Sequence, residues 1–358
     1  MERYACPTDG IEWNIGQDFS TNFRWEYQDG REKLLNLYDK GKRMQWDSKE
    51  RIDWSCDLDP ENPEQLPDET LPIFGSDVWN RMTEKEKATV RRHFQAWQLS
   101  QFMHGEQGAL ICTAKIVQQV PSMDAKFYAS TQVMDEARHV ESYSRLLHEK
   151  FELAYPINPH LKKLLDDVLS DSRWDVTYLG MQVLIEGVAL AAFGLIRDQS
   201  KNQLAASVNA YVMQDEARHV AFGRLALRDY YPQLTQKERD EREEFAVEGC
   251  YLLRDRFLGE QVWENLGLPV DECARYMDRS ELMSIFRTSL FTRIVPTMKD
   301  IGLWGPRIRK AYADMGILGF ADTDLDAVSA YDEQVGEEFD RRRREVDDVI
   351  DTGRASVA

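Results

Sequence analysis

Cysteine is scarce in this chain and nowhere clustered. Its five cysteines, Cys6, Cys56, Cys112, Cys250 and Cys273, form no Cys-x-x-Cys. An odd, scattered set excludes a disulfide framework and predicts a reducing, cytoplasmic setting. Positive charge is also short. Lys and Arg total 45 against 63 Asp and Glu, a net charge of −18. That balance excludes nucleic acid or an anionic membrane surface as the main partner. Strand-like alternation of useful length is missing throughout, which makes the fold all-α. No signal peptide opens the chain at Met1-Glu2-Arg3-Tyr4. Long apolar runs are limited to one, Val176–Ile196, whose only charge is Glu186 at its centre. Its length would span a bilayer. The central carboxylate, Thr177, Gln182 and the charge on its neighbour helices make it a buried core helix instead.

What the chain does have is one phrase written twice. Asp135-Glu136-Ala137-Arg138-His139-Val140 returns as Asp215-Glu216-Ala217-Arg218-His219-Val220. Each contains Glu-x-x-His. On a helix, residues i and i+3 share a face, about 5–6 Å apart between Cβ atoms. A carboxylate and an imidazole so placed can clasp one metal ion. Two further glutamates match them. Glu106 precedes Glu136 by 30 residues, and Glu186 precedes Glu216 by the same 30. An 80-residue shift therefore maps Glu106, Glu136 and His139 onto Glu186, Glu216 and His219.

The spacing predicts two antiparallel helix hairpins. Midway between the first pair stands Pro121, and midway between the second stands Lys201, within Gln199-Ser200-Lys201-Asn202. Both midpoints carry turn chemistry. Each Glu then lies roughly 21 Å from its turn, at 1.5 Å per residue, so the two Glu of a hairpin meet at one height. All four fall on apolar stripes, where an unpaired charge is costly. Four matched carboxylates predict a pair of dications.

Capping boxes at Thr83-Glu84-Lys85-Glu86 and Thr235-Gln236-Lys237-Glu238 mark helix starts. Helices are predicted over 31–40, 84–119, 122–150, 161–170, 174–198, 203–230, 235–266, 279–301 and 307–315. The Pro-rich stretch 57–72 reads as an extended wrap, and the acidic end from Asp322, Arg-rich over Glu337–Arg344, reads as a surface helix and then a frayed tail. Three regions follow: an N-terminal extension, 1–75; a metal-binding four-helix bundle, 76–232; and C-terminal helices that pack on it, with an acidic tail, 233–358.

With Glu106, Asp-Glu136-x-Arg-His139, Glu186 and Asp-Glu216-x-Arg-His219 in place, residues 84–230 resemble the ferritin-like diiron carboxylate superfamily. The resemblance implies a ferritin-like bundle with added N- and C-terminal helices. It gives Glu106, Glu136 and His139 to one iron and Glu186, Glu216 and His219 to the other, with one or two Glu bridging. Manganese is the main rival metal, since imidazole and carboxylate suit both. Asp135 and Asp215 would orient the imidazoles, and Arg138 and Arg218 would hold those Asp. O2 and an external electron donor, a reductase or a ferredoxin-type protein, are implied as co-reactants, with a homodimer possible.

Within the superfamily, ferritins are about half this length. Tyr143, four residues after His139, stands where the ribonucleotide reductase small subunit carries a redox tyrosine, and is the candidate catalytic side chain. The stretch from Glu136 to Glu186 is shorter than in those subunits. Bacterial multicomponent monooxygenases place Thr where Leu190 stands. Arylamine N-oxygenases place an extra His ligand where Val212 stands. The Asp-Glu-Ala-Arg-His wording and even spacing look closest to aromatic acyl-CoA epoxidases. The reading is an oxygenase that hydroxylates, epoxidises or N-oxygenates a small, largely apolar substrate. The rivals are a radical-storing subunit and a ferroxidase-like bundle. Phe102, Met103, Tyr143, Leu190, Phe193 and Met213 are candidate lining residues. His104 reads as surface, Cys112 as core and Glu141 as solvated.

Overall fold

The computed structural model describes residues 4–6, 15–23, 25, 27, 30–335, 337, 338 and 341. Among these there is no strand, only an isolated bridge between Tyr4 and Ala154. After α1 (Glu32–Arg43) come the bundle helices α2 (Glu84–Gln119) and α3 (Met123–Arg145). The helix α4 (Pro159–Ser170) crosses back, and α5 (Trp174–Gln199) and α6 (Gln203–Tyr230) complete the four.

Local chemistry sets these limits. Thr83 and Glu86 close a reciprocal capping box that starts α2. Asn158 accepts from His160 and Leu161 and starts α4 just before Pro159. Asn202 accepts from Ala205 at 3.1 Å and starts α6. The hairpin turns fall at Val120–Ser122 and Ser200–Asn202, around the predicted midpoints.

Packing then fixes direction. Tyr128 of α3 and Tyr178 of α5 both pack on Phe222 of α6, at ring separations of 4.3 and 5.1 Å. The start of α5 therefore lies at the end of the bundle that holds the α2–α3 turn, called here the near end. At the far end, by the α5–α6 turn, Phe102 of α2 meets Phe193 of α5 and Tyr143 of α3, at 4.8 and 5.9 Å. α5 passes the test of length and apolarity for a membrane span, yet it is buried within the bundle.

Two stretches depart from regular α geometry. Leu146–Phe151 is π-helical and closes α3 at Glu152, where φ is +51°. Leu179–Ile185 is π-helical within α5 and ends at Glu186. Such widened turns recur at functional positions.

The later helices differ from expectation. The predicted 235–266 helix breaks into α7 (Gln236–Asp255), a short turn (Arg256–Leu258) and α8 (Glu260–Asn265). The break is at Gly259, with φ +65°. A helix not foreseen, α9 (Val270–Arg279), follows. The predicted 279–301 helix is two, α10 (Glu281–Ser289) and α11 (Ile294–Asp300), and α12 is Pro306–Asp314. The surface helix expected in the acidic end from Asp322 is present over 325–335, and most of Glu337–Arg344 lies outside the described residues.

Candidate metal centre

Glu106 on α2, Glu136 and His139 on α3, Glu186 on α5, and Glu216 and His219 on α6 converge halfway along the bundle. All six are buried. Glu106, Glu136, His139 and Glu216 can turn one ligand atom each toward a common point; Glu136, Glu186 and His219 do so toward a second. The two imidazole rings are 6.0 Å apart. Glu216 Oε1 sits 3.2 Å from His139 Nδ1 and 3.3 Å from His219 Nδ1. Glu136 offers one oxygen to each imidazole, at 3.5 Å to His139 and 3.2 Å to His219. Glu136 and Glu216 therefore lie between the histidines, with Glu106 and Glu186 at the sides.

The outer nitrogens are tied crosswise. His139 Nε2 lies 3.1 Å from Asp215, and His219 Nε2 lies 3.2 Å from Asp135. Each repeat's aspartate thus holds the other repeat's histidine. Arg138 donates to both aspartates, at 2.6 and 2.7 Å, and Arg218 pairs with Asp215. Trp46 donates its indole N–H to Asp215 at 2.8 Å, and Gln45 donates to Asp135 at 2.7 Å. An imidazole whose Nε2–H is held by a carboxylate can turn Nδ1 to a metal. On both histidines Nδ1 faces the cluster, and His139 Nδ1 lies 3.1 Å from Glu106 Oε2.

The donor set fits two cations. Glu136 Oε2, Glu186 Oε2, both oxygens of Glu216 and His219 Nδ1 accept or donate no hydrogen bond although buried. Such groups are rarely left without a partner. Burial, reinforced by the Glu216 charge, holds Glu106 and Glu186 well above the usual carboxylate range. Burial also opposes the Glu136 charge, but the His219 and His139 imidazoles outweigh it and keep that carboxyl low. Bound dications would neutralise the carboxylates and reverse these protonation preferences. Gln132, one turn before Glu136, ties two of the carboxylates together: its amide donates to Glu136 and Glu186 at 2.9 and 3.0 Å.

A cavity opens on this centre between α2 and α5. Glu106, Glu186 and Glu216 form its polar wall, and Phe102, Phe193 and Met181 are among its apolar lining. It is narrow, about 20 Å³, room for one water. Its remaining wall is Arg256, which the sequence reading left in a plain helix. Arg256 is buried; its guanidinium lies over the Phe257 ring, 5.0 Å from the centroid, with no carboxylate paired to it among the described residues. Burial alone lowers its guanidinium, to about 10, so it keeps its charge at neutral pH. The one sequence signal for it was Gly259, which stops α7 and turns Arg256 inward.

Of the other lining candidates, Phe102 and Phe193 face the cavity, while Met103, Leu190 and Met213 are buried core. Tyr143 is buried and donates its hydroxyl to Asn209 at 3.0 Å. Cys112 is buried and Glu141 exposed. His104, expected at the surface, is half-buried and its Nε2 lies 2.9 Å from the Tyr155 carbonyl oxygen.

Four helices that carry two Glu-x-x-His pairs and two facing glutamates define a ferritin-like dimetal carboxylate protein. The chain belongs to the p-aminobenzoate N-oxygenase AurF family, which matches residues 28–302. Of the two oxygenase relatives named from the sequence, the match is to the N-oxygenases, although buried Val212 stands where the resemblance implies a further histidine. Among solved structures, a single-site mutant of an R2-like ligand-binding oxidase, with an aerobically reconstituted Mn/Fe cofactor, is 17% identical. The alignment covers 77% of this chain and 96% of that one, with a TM-score of 0.50. Dimanganese(II)-NrdF of Streptococcus sanguinis is 14% identical, covering 83% and 99%, with a TM-score of 0.49. At such identities the likeness concerns the fold alone. No protein of curated function matches.

Proposed function

We propose that the chain is an O2-dependent dimetal oxygenase acting on a small substrate with an apolar body and one anionic group, such as an arylamine carboxylate. The observation that carries this reading is the cavity, which joins metal-facing carboxylates to an unpaired guanidinium through an apolar wall. A buried, unpaired Arg is costly unless a ligand supplies the anion. A carboxylate would take it in a bidentate bond. Phe102 and Phe193 would flank an aromatic ring and exclude water, and this end of the substrate would lie beside Glu106, Glu186 and Glu216. The narrow cavity requires these side chains to swing aside on binding.

Two iron ions, or manganese in one or both places, would be held by Glu106, Glu136, His139, Glu186, Glu216 and His219. When bound they supply O2 activation and electron storage. Asp135 and Asp215 keep the imidazoles in the ligating tautomer. Tyr143 packs against Phe102 and Phe193 and supports the cavity wall. Electrons would come from a reductase or ferredoxin-type protein in the cytoplasm.

The test compares p-aminobenzoate with aniline. Binding to the metal-loaded protein, read by calorimetry, should favour the carboxylate at least 10-fold, and Arg256→Met should abolish the preference. Under O2 and reductant, an N-oxygenated product should form. Equal binding of both amines in both proteins would remove the anion-anchor reading. O2 uptake with no organic product from any arylamine would favour a ferroxidase.

A further inference from the structure

On the near side of the metal centre the bundle interior is polar, and that polarity has no protein partner. Both ends of the Gln182 amide, the Gln132 oxygen, the hydroxyls of Tyr128 and Tyr178, and those of Thr113 and Thr177 are buried without a hydrogen bond. Each residue is at most 1% exposed. Isolated orphans occur in proteins, but seven atoms from six neighbouring residues do not arise as packing accidents; buried polar groups are met by protein or by ordered water.

These groups form a file. Gln132 stands next to the metal centre, its amide held by Glu136 and Glu186 and its oxygen left over. Tyr128 is one turn further along α3. Its ring and that of Tyr178 share Phe222 as a neighbour. Gln182 lies against the adjacent Gly223, where a Cβ would come within 2.5 Å of the Gln182 Cβ. The glycine therefore lets α5 and α6 approach closely at Gln182. Thr177 precedes Tyr178, and Thr113 lies two turns beyond Glu106 on α2. Outward, Asp124, one turn before Tyr128 on α3, accepts from the Arg31 backbone N–H at 2.5 Å. Arg31 is at the surface, 3.2 Å from Asp229 and 3.4 Å from the Ser122 hydroxyl.

We propose that these side chains line a passage of ordered water that carries protons from the surface at Arg31 to the metal-facing carboxylates. The inference rests on the oxygenase reading for its purpose. Inserting one oxygen atom of O2 into a substrate sends the other to water, which takes two electrons from the external donor and two protons from solvent. Each proton advances as one water O–H bond breaks and the next forms. Gln132 is a positioning residue: its oxygen fixes the last water beside the Glu136 and Glu186 carboxylates.

The test has a structural and a kinetic arm. A high-resolution crystal structure of the full chain should show about three to five ordered waters bridging Gln132, Gln182, Tyr128 and Tyr178. Dry density there, or rotamers that pair these groups with one another, overturns the passage. Tyr178→Phe and Gln182→Leu touch neither a metal ligand nor Arg256. In each, substrate affinity and metal content should hold. Turnover should fall about 10-fold, with a larger solvent deuterium isotope effect than in the parent. Unchanged turnover and isotope effect in both variants would also overturn it. Waters present with no oxygenated product would refute the oxygenase reading and leave the passage standing.

Discussion

The two ends of the bundle are built from corresponding positions and yet differ. One turn before each ligating glutamate stand Phe102, Gln132, Gln182 and Val212. Because α2 and α6 approach the centre from the far end, Phe102 and Val212 fall there. Gln132 and Gln182 approach from the near end. Under the 80-residue shift Phe102 corresponds to Gln182, Gln132 to Val212, and Tyr143 to Gly223. The duplication thus keeps the candidate ligands with their Asp and Arg neighbours, and changes the residues one turn away. One end is closed by Phe102, Tyr143 and Phe193; the other is open to polar groups. A symmetric site would give substrate, protons and oxygen the same surroundings. On the reading proposed above, this one receives substrate at the far end and protons at the near end.

The largest effect should come at the centre that both ends share. Glu136 faces both imidazoles, so Glu136→Ala should leave a protein that retains neither metal, read by elemental analysis after desalting. Two metals per chain in that variant would remove Glu136 as a bridge. At the far end, Phe193→Ala should cost about 3–5 kcal/mol, the usual loss for a buried Phe, seen as a lower midpoint in urea. Tyr178→Phe at the near end should cost no more than about 1.5 kcal/mol, one hydrogen bond to water. Similar losses would erase the contrast between the ends.

Asp215→Asn tests the crossed ties. It should weaken metal affinity about 10–100-fold, mainly at the His139 site. Loss at the His219 site instead would mean that each aspartate serves its own repeat.

Glu64 also lies at the far end, its carbonyl oxygen accepting from the Ser200 hydroxyl of the α5–α6 turn. It is fully buried with neither carboxylate oxygen bonded, and burial pushes its carboxyl up to about 8. The native state then keeps a proton that the unfolded chain releases near 4.5. Between those values the unfolded state binds fewer protons, so stability falls as pH rises, by up to about 1.4 kcal/mol per unit. Glu64→Gln should flatten that slope and raise the melting temperature at pH 8 more than at pH 5. Parallel pH profiles for parent and variant would mean that Glu64 finds a charge partner.

The legible part of this molecule lies within single helices. Spacing of 3 and 30 residues places the six candidate ligands, and Pro121 and Asn202 mark the turns, because i, i+3 geometry is local. What crosses between helices is hidden. Nothing in the repeated phrase says that Asp215 serves His139, since both repeats read alike. Nor does it say which histidine Glu136 or Glu216 faces. Arg256 is hidden for another reason: among the Glu and Arg of α7 its pattern is that of a solvated face, and only the break at Gly259 turns it inward. The π-helical turn before Glu186 carries no composition signal either. Its residues, Leu179-Gly180-Met181-Gln182-Val183-Leu184-Ile185, read as an ordinary apolar helix.

The most direct measurement is anomalous diffraction at the iron and manganese edges from crystals of the metal-loaded chain. The account predicts two peaks about 3.5–4 Å apart. One would lie on His139 Nδ1 and the other on His219 Nδ1, with Glu136 and Glu216 between them. A single ion, or ions bound away from these two nitrogens, would contradict it.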